Sequence, residues 1–289
     1  MSISVWKRPY LTLGATALVW VSSLAAARAQ TGFATDRFEP AGGGSDWFSL
    51  ESLDFRGHLR PAGSIVGELA WKPLVIYDAG GHEVAPLVSR QATLHADAAL
   101  VLWSRLRVDV NAPFVVWHDG TAGMVDGMAF APPTSEPLGD LRLGADVRLF
   151  GRPEDGISVA AGAQVFVPTG HASAYTSDGV ARFWPRLLAA GAAGPFEWAA
   201  RIGYHVRPAD KCGCAIPPGD EVTGGAALGV RVAAPVLLGA EAYASTSTTS
   251  GHFAKGTASP AEALLGVHVA VARDWTLGLG AGPGTEGAG

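Results

Sequence analysis

The sequence has 289 residues, of which 48% are hydrophobic and only 16% are charged, and its mean hydropathy is +0.21. Soluble globular domains carry about 25% charged residues, so this composition argues against an ordinary soluble domain. A formal net charge of −5 offers nucleic acid no electrostatic attraction, and we expect no nucleic-acid partner.

The N-terminus has the pattern of an export signal. Lys7 and Arg8 form a short basic region before the apolar run of residues 11–24, and Ala27-Arg28-Ala29 supplies a small-x-small cleavage pattern. The apolar run is too short to cross a bilayer comfortably as a helix. The sequence therefore predicts a signal peptide over residues 1–29 and an exported chain.

The next segment, residues 30–62, is predicted to be an N-terminal lead-in to the strand region. Its glycine-rich part, residues 31–46, contains Gly42-Gly43-Gly44 and is predicted to be flexible, with no core-forming pattern. Past residue 30, no uninterrupted apolar stretch reaches the roughly 18 residues that a membrane-spanning helix needs. A helical membrane protein is therefore not expected.

A period of two dominates residues 63–289. In LGDLRLGADVRLFG (138–151), apolar side chains alternate with polar ones such as Arg142 and Asp146, and residues 196–207 show the same alternation. Strand side chains alternate between two faces, so each block predicts a two-faced strand. Many blocks reach the roughly 9–11 residues that a tilted strand needs to cross a bilayer.

Short and long connections alternate strictly along this region. The short ones are residues 103–105, 151–155, 191–195, 233–235 and 272–274, and the long ones are residues 78–90, 118–137, 169–179, 208–220 and 246–258. Up-and-down membrane barrels have short periplasmic turns and long outer loops. The pattern predicts an all-β, antiparallel up-and-down transmembrane β-barrel over residues 63–289, with the apolar parity facing lipid. A soluble sandwich or lipocalin-like barrel is the alternative, and the long strands and low charge weigh against it.

Several runs carry a resemblance to a known family. They are ESLDFRGHLRPAGSIVGELAWKPLVIYDAGG (51–81), LGDLRLGADVRLFG, VFVPTG (165–170), and SPAEALLGVHVAV with the closing GLGAGPG. Together they resemble the N-terminal outer-membrane barrel of an OmpA-like family of Gram-negative bacteria. They are also similar to barrel transporters for small hydrophobic compounds. The resemblance covers roughly residues 34–284, and it implies an outer-membrane location, contact with outer-membrane lipid, and insertion by the barrel assembly machinery.

The sequence also departs from that family. Many of its members continue into a peptidoglycan-binding domain, and nothing in this sequence resembles one. A further strand usually follows GAGPG in the family, where this chain has TEGAG. About eleven strands are predicted, with the last near residues 273–281, whereas single-chain bacterial barrels have even strand numbers. We therefore expect a barrel of about 12 strands that lacks its closing strand.

The candidate site residues are charged side chains on the predicted lumen parity. They are Arg105, Arg107, Asp109, Arg142, Asp146, Arg148, Arg182, Arg186, Glu197, Arg201, Glu241 and Glu262. Mixed signs on neighbouring strands predict cross-strand ion pairs that fill a narrow lumen. An ion-selective pore would instead show a ring of one sign.

The sequence offers little evidence of catalytic chemistry. There is no nucleophile elbow, zincin motif or phosphate-binding loop, so we expect no enzyme activity and no cofactor. The eight histidines show no ligand-pair spacing, and no metal site is predicted. Cys212 and Cys214 are interpreted as a loop-local disulfide or an incidental pair, although two exposed thiols also suit a soft metal.

Two functions stay open on the sequence alone. The first is a passive transporter or small pore for small solutes of unknown identity. The second is a structural OmpA-like outer-membrane protein with a plugged lumen and no transport role. In either case the predicted location is the outer membrane.

Overall fold

The computed structural model describes residues 33–78, 80–125, 128–152, 155–208, 219–248, 253–255 and 259–285. Within these ranges the protein is all-β, and no helix there is long and apolar enough to span a membrane. The strands are β1 (Leu59–Tyr77), β2 (Glu83–Leu102), β3 (Leu106–Asp119), β4 (Gly123–Val125), β5 (Met128–Phe130), β6 (Leu141–Arg152), β7 (Ile157–Val167), β8 (Arg182–Ala193), β9 (Phe196–His205), β10 (Glu221–Ala233), β11 (Val236–Ser247), β12 (Ala261–Ala272) and β13 (Trp275–Ala281).

Eleven of these strands form one antiparallel sheet whose spatial order follows the chain order. The sheet is curled into a half-barrel, with β1 and β13 as its two end strands. β4 and β5 form a separate two-stranded hairpin in the connection between β3 and β6. The predicted all-β, up-and-down antiparallel architecture is confirmed.

The short connections all lie at one end of the sheet and the long ones at the other. Residues 103–105 link β2 to β3, with Trp103 and Ser104 both at φ 52°, as a tight hairpin turn requires. One predicted boundary is wrong: the connection expected at residues 78–90 spans only 78–82. A bulge near Lys72 lets β1 continue to Tyr77, so residues 83–88 gain ladder partners and join β2. The first strand also begins at residue 59 and not at 63.

The two faces of the sheet differ sharply in polarity. Leu143 and Ile202, both on the apolar parity, are 48% and 58% exposed on the outer face. Arg142, next to Leu143 in the chain, is only 1% exposed because it points to the opposite, inner face. The described sheet is therefore apolar outside and charged inside.

Residues 33–58, here called the inner segment, lie against the inner face and form no strand. Near one end, the backbone N–H of Thr35 donates to the carbonyl of Tyr175 in the β7–β8 connection, at the long-loop end. At the other end, the N–H of Trp103 donates to the carbonyl of His58 at the short-turn end. The inner segment thus runs along the inner face between the two ends of the strands.

The inner segment supplies much of the apolar core. Four of its apolar side chains are buried against the inner face: Trp47, Leu50, Leu53 and Phe55. They pack on residues of β2 and of the strands from β7 to β11. The prediction that residues 31–46 are flexible and without core-forming residues is wrong for the part from residue 33 on, because Phe38 and Ala41 are buried there. The apolar residues of the inner segment have no strand or helix period, so only their packing against the sheet reveals their role.

Candidate functional site

A compact group of four charged side chains occupies the middle of the inner face. Nη2 of Arg107 lies 2.6 Å from Oε2 of Glu51 and 2.6 Å from Oδ2 of Asp146. Nη2 of Arg186 lies 2.9 Å from the same Asp146 oxygen. All four side chains are almost fully buried, so two guanidinium groups and two carboxylates neutralise one another away from water.

Strand register and one glycine create this group. Arg107 on β3 is directly opposite Asp146 on β6, which in turn is opposite Gly162 on β7. A Cβ atom at Gly162 would lie 1.9 Å from Oδ1 of Asp146. Glycine is required there because the carboxylate reaches across β7 to Arg186 on β8.

Other inner-face groups bind the backbone of the inner segment. The carboxylate of Glu241 accepts the N–H groups of Phe48, Ser49 and Leu50 at 2.6, 2.8 and 3.1 Å. Asp97 accepts the N–H of Gly43 at 2.5 Å. A carboxylate with three backbone donors acts as an anchor, because hydrogen bonds to a charged acceptor are the stronger kind.

Two arginines extend the same anchoring. Arg142 contacts Oε2 of Glu39 at 2.7 Å and donates to the carbonyl of Pro40 at 2.5 Å. Arg201 donates to the carbonyl of Ser49 at 2.9 Å. The inner segment is therefore held to the sheet largely by side chains that act on its backbone and acids.

A second charged group lies at the long-loop end. Asp178, in the β7–β8 connection, accepts two hydrogen bonds of 2.9 Å from Arg207 and one from the N–H of Ala34. Arg182 lies 3.6 Å from the same carboxylate. Burial acts to raise the pKa of Asp178, but Arg207 and Arg182 outweigh it and hold the pKa well below its usual range.

Glycines on the last two strands make room for an aromatic ring of the inner segment. A Cβ at Gly266, Gly278 or Gly280 would lie 2.5, 2.9 or 2.7 Å from the ring of Phe48. That ring also packs on His268, with ring centroids 4.3 Å apart. The glycine-rich alternation of β13 is thus explained by packing against this ring.

The predicted lumen-parity residues fall into three groups. Eight are buried on the inner face: Arg107, Asp109, Arg142, Asp146, Arg182, Arg186, Arg201 and Glu241. Arg148, Glu197 and Glu262 are half-buried, and of these Glu197 pairs with Arg231 at 2.6 Å and Glu262 accepts a hydrogen bond from Tyr243. Arg105 departs from the prediction because it lies exposed in the turn before β3, outside any ladder.

Sequence reasoning missed the partners that the inner segment supplies. Glu51 and Glu39 complete the ion pairs of Arg107 and Arg142, yet they belong to a segment without periodicity. It also missed a group formed by Asp36, Glu68 and His95, whose ligand atoms lie within 4.8 Å of one another. Cys212 and Cys214 lie outside the described residues, so the interpretation of this pair stays a prediction.

The space left between the inner segment and the sheet is small. One cavity, of about 40 Å³, is lined by residues that include Phe38, His95 and Asn111, and another, of about 70 Å³, is lined by residues that include Arg201 and Tyr243. Each has room for only a few water molecules. The described interior is thus a packed core with buried ion pairs and small pockets lined by polar and apolar side chains.

Fold and site together define an all-β protein with a half-barrel sheet whose concave face is filled by its own N-terminal part. No protein-family model matches this sequence, and no curated protein is significantly similar to it.

Proposed function

We propose that this protein is an outer-membrane β-barrel protein whose interior is closed by its inner segment, with a structural rather than a conducting role. The observation that carries the proposal is the filling of the inner face by residues 33–58 through buried ion pairs and an apolar core. The outer face supports the membrane part, because large apolar side chains there stay exposed, among them Leu69, Leu228 and Leu265.

The contacts of the inner segment support a closed interior. An open passage for solutes needs a continuous water-filled path, whereas the described interior leaves pockets of about 40 and 70 Å³. Arg107 and Arg186 both pair with Asp146 in the middle of the inner face, whereas an ion-selective pore uses a ring of charges of one sign.

Planar-bilayer recording of the purified full chain tests this function. We expect no conductance steps above background from the wild-type protein. A double variant, Glu241→Ala with Asp97→Ala, removes two anchors of the inner segment and should produce intermittent steps. Glu197→Gln is the matched control, because Glu197 pairs with Arg231 of a neighbouring strand and should stay silent. Steady conductance from the wild-type protein would contradict a closed interior.

Passive transport is the second candidate, and it is favoured by the side-chain contacts that hold the inner segment. Glu241, Asp97 and Arg142 hold the inner segment by side-chain contacts, so the segment can leave without breaking a strand ladder. Transport then requires displacement of the segment. Solute-dependent openings of the wild-type protein in the same recordings would favour transport over the structural role.

A further inference from the structure

A small acidic group with one histidine joins the inner segment to the first two strands. Nε2 of His95 on β2 lies 3.6 Å from Oδ2 of Asp36 in the inner segment and 3.5 Å from Oε2 of Glu68 on β1. All three ligand atoms lie within 4.8 Å of one another. From this geometry we infer a binding site for a divalent transition-metal ion, with Zn²⁺ as the best-fitting ion.

The spacing of the donor atoms matches zinc. In a tetrahedral site with ligands at about 2.1 Å, two ligand atoms stand ~3.4 Å apart. The two distances from Nε2 of His95 agree with this spacing to within a few tenths of an ångström. One imidazole and two carboxylates leave a fourth position for water, and zinc accepts all of these ligand types.

His95 is held in the orientation that a metal ligand needs. Its side chain is only 4% exposed, and Nδ1 lies 3.4 Å from Oδ1 of Asn111, which can accept the Nδ1 proton. That contact directs the lone pair of Nε2 toward the two carboxylates. Among the described residues, Nε2 of His95 and Oε2 of Glu68 have no hydrogen-bond partner. A buried imidazole nitrogen without a partner, aimed between two carboxylates, indicates a ligand and not merely a cluster of acids.

The carboxylates of Asp36 and Glu68 are also placed to bind a metal ion. Oδ1 of Asp36 accepts the N–H of Phe38 at 3.0 Å, which fixes the carboxylate and leaves Oδ2 toward His95. The further charges that act on Glu68 are those of Glu262 and Glu39, both acidic. Acidic side chains that are half-buried together repel one another unless a cation neutralises them, so a divalent ion is favoured here. Because Asp36 belongs to the inner segment, the ion would also cross-link that segment to the sheet.

Calorimetric titration of the metal-stripped full chain in detergent with ZnCl₂ tests the inference. All proteins carry Cys212→Ser and Cys214→Ser, because loop thiols would bind zinc themselves. We expect one Zn²⁺ per chain and no binding of Mg²⁺ at the same concentration, since Mg²⁺ requires octahedral oxygen ligands. His95→Gln and Glu68→Gln should each weaken Zn²⁺ binding at least tenfold.

His205→Gln is the matched control. His205 is another buried inner-face histidine, but its ring packs on Phe166 and Trp184 and the positive charges of Arg182 and Arg207 act on it, so it should not bind a cation. Folding of each variant is checked by heat-modifiable gel migration, and Asp36→Asn provides a third variant outside the strands. Substitution of Co²⁺ reports coordination by its visible absorption, which the ligand variants should abolish. The inference is overturned if the parent binds no Zn²⁺, or if folded ligand variants bind as the parent does.

Discussion

At the scale of single residues, stability of the interior depends on charged groups that meet the backbone of the inner segment. Glu241 is the clearest example, because one buried carboxylate serves three consecutive N–H groups. None of these donors has a strand partner to replace it. Loss of the carboxylate would leave buried donors unsatisfied, which costs about 1–3 kcal/mol for each group.

Glu241→Ala should therefore destabilise the folded protein by about 3 kcal/mol or more. Urea unfolding in detergent, followed by tryptophan fluorescence, measures the change. The control is Glu197→Ala, whose partially exposed pair with Arg231 is worth no more than about 1 kcal/mol. Equal losses of stability for the two substitutions would contradict a special contribution of the hydrogen bonds from Glu241 to the backbone.

The ion pairs of Asp178 predict a specific pH dependence. Its folded-state pKa is lowered, so its stabilising contribution is complete above the unfolded pKa of about 3.9 and is lost as pH falls through the folded-state pKa. The stability difference between wild type and Asp178→Asn should be constant from about pH 7 to pH 5. Below about pH 4 it should shrink by up to about 1.4 kcal/mol per pH unit. A difference that already disappears near pH 6 would contradict the lowered pKa.

At the scale of elements, the side chains of each strand alternate between the apolar outer face and the charged inner face. Leu143 is exposed on the outer face of β6, whereas its neighbour Arg142 is buried against Glu39. If the outer face contacts lipid, Leu143→Arg should cost roughly 2–4 kcal/mol near the bilayer midplane. Ile202→Arg on β9 should behave in the same way.

Arg142→Leu is the inner-face counterpart. It should cost about 1–3 kcal/mol, because it removes the hydrogen bond to the carbonyl of Pro40 and the partner of Glu39, whose carboxylate is only half-buried. Unfolding in lipid vesicles and in a non-ionic detergent measures both classes. The outer-face variants should be worse in vesicles than in detergent, and the inner-face variant should be equally affected in both. Outer-face variants that lose no more stability in vesicles than in detergent would contradict the assignment of the faces.

The last two strands predict a packing effect at glycine. Gly280→Val places a branched side chain against the ring of Phe48, where a Cβ already lies at 2.7 Å, and should destabilise by about 1–3 kcal/mol. Gly67→Val on β1 is the control, because a Cβ there meets nothing within 4 Å. Valine favours strands, so this control should be neutral or slightly stabilising. Unfolding in detergent distinguishes the two.

At the scale of the whole molecule, the two faces of the sheet differ in polarity, because the outer face is apolar and the inner face is charged. Exposed apolar side chains cover much of the sheet exterior, and the inner segment packs on the charged inner face. Expression in a Gram-negative host should therefore place the processed chain in the outer-membrane fraction, with heat-modifiable migration on gels. Recovery of a soluble periplasmic monomer would contradict the membrane proposal.

The sequence by itself determined the sheet, because a period of two encodes strand faces residue by residue and turn residues mark where each strand ends. It therefore predicted the up-and-down order, the inner side of Arg107 and Asp146, and the pairing of opposite charges on neighbouring strands. The end of the first hairpin was missed, since the bulge near Lys72 is defined only by the partner strand.

Only the tertiary structure decided what fills the concave face. Residues 33–58 carry no period, because they form no strand or helix, so their burial depends on distant groups such as Glu241 and Asp97. The same holds for Asp36, Glu68 and His95, which are separated by 32 and 27 positions in the chain and meet only when the inner segment lies across β1 and β2. Local alternation specifies faces, whereas contacts between a non-periodic segment and a sheet arise from the packing of the whole chain.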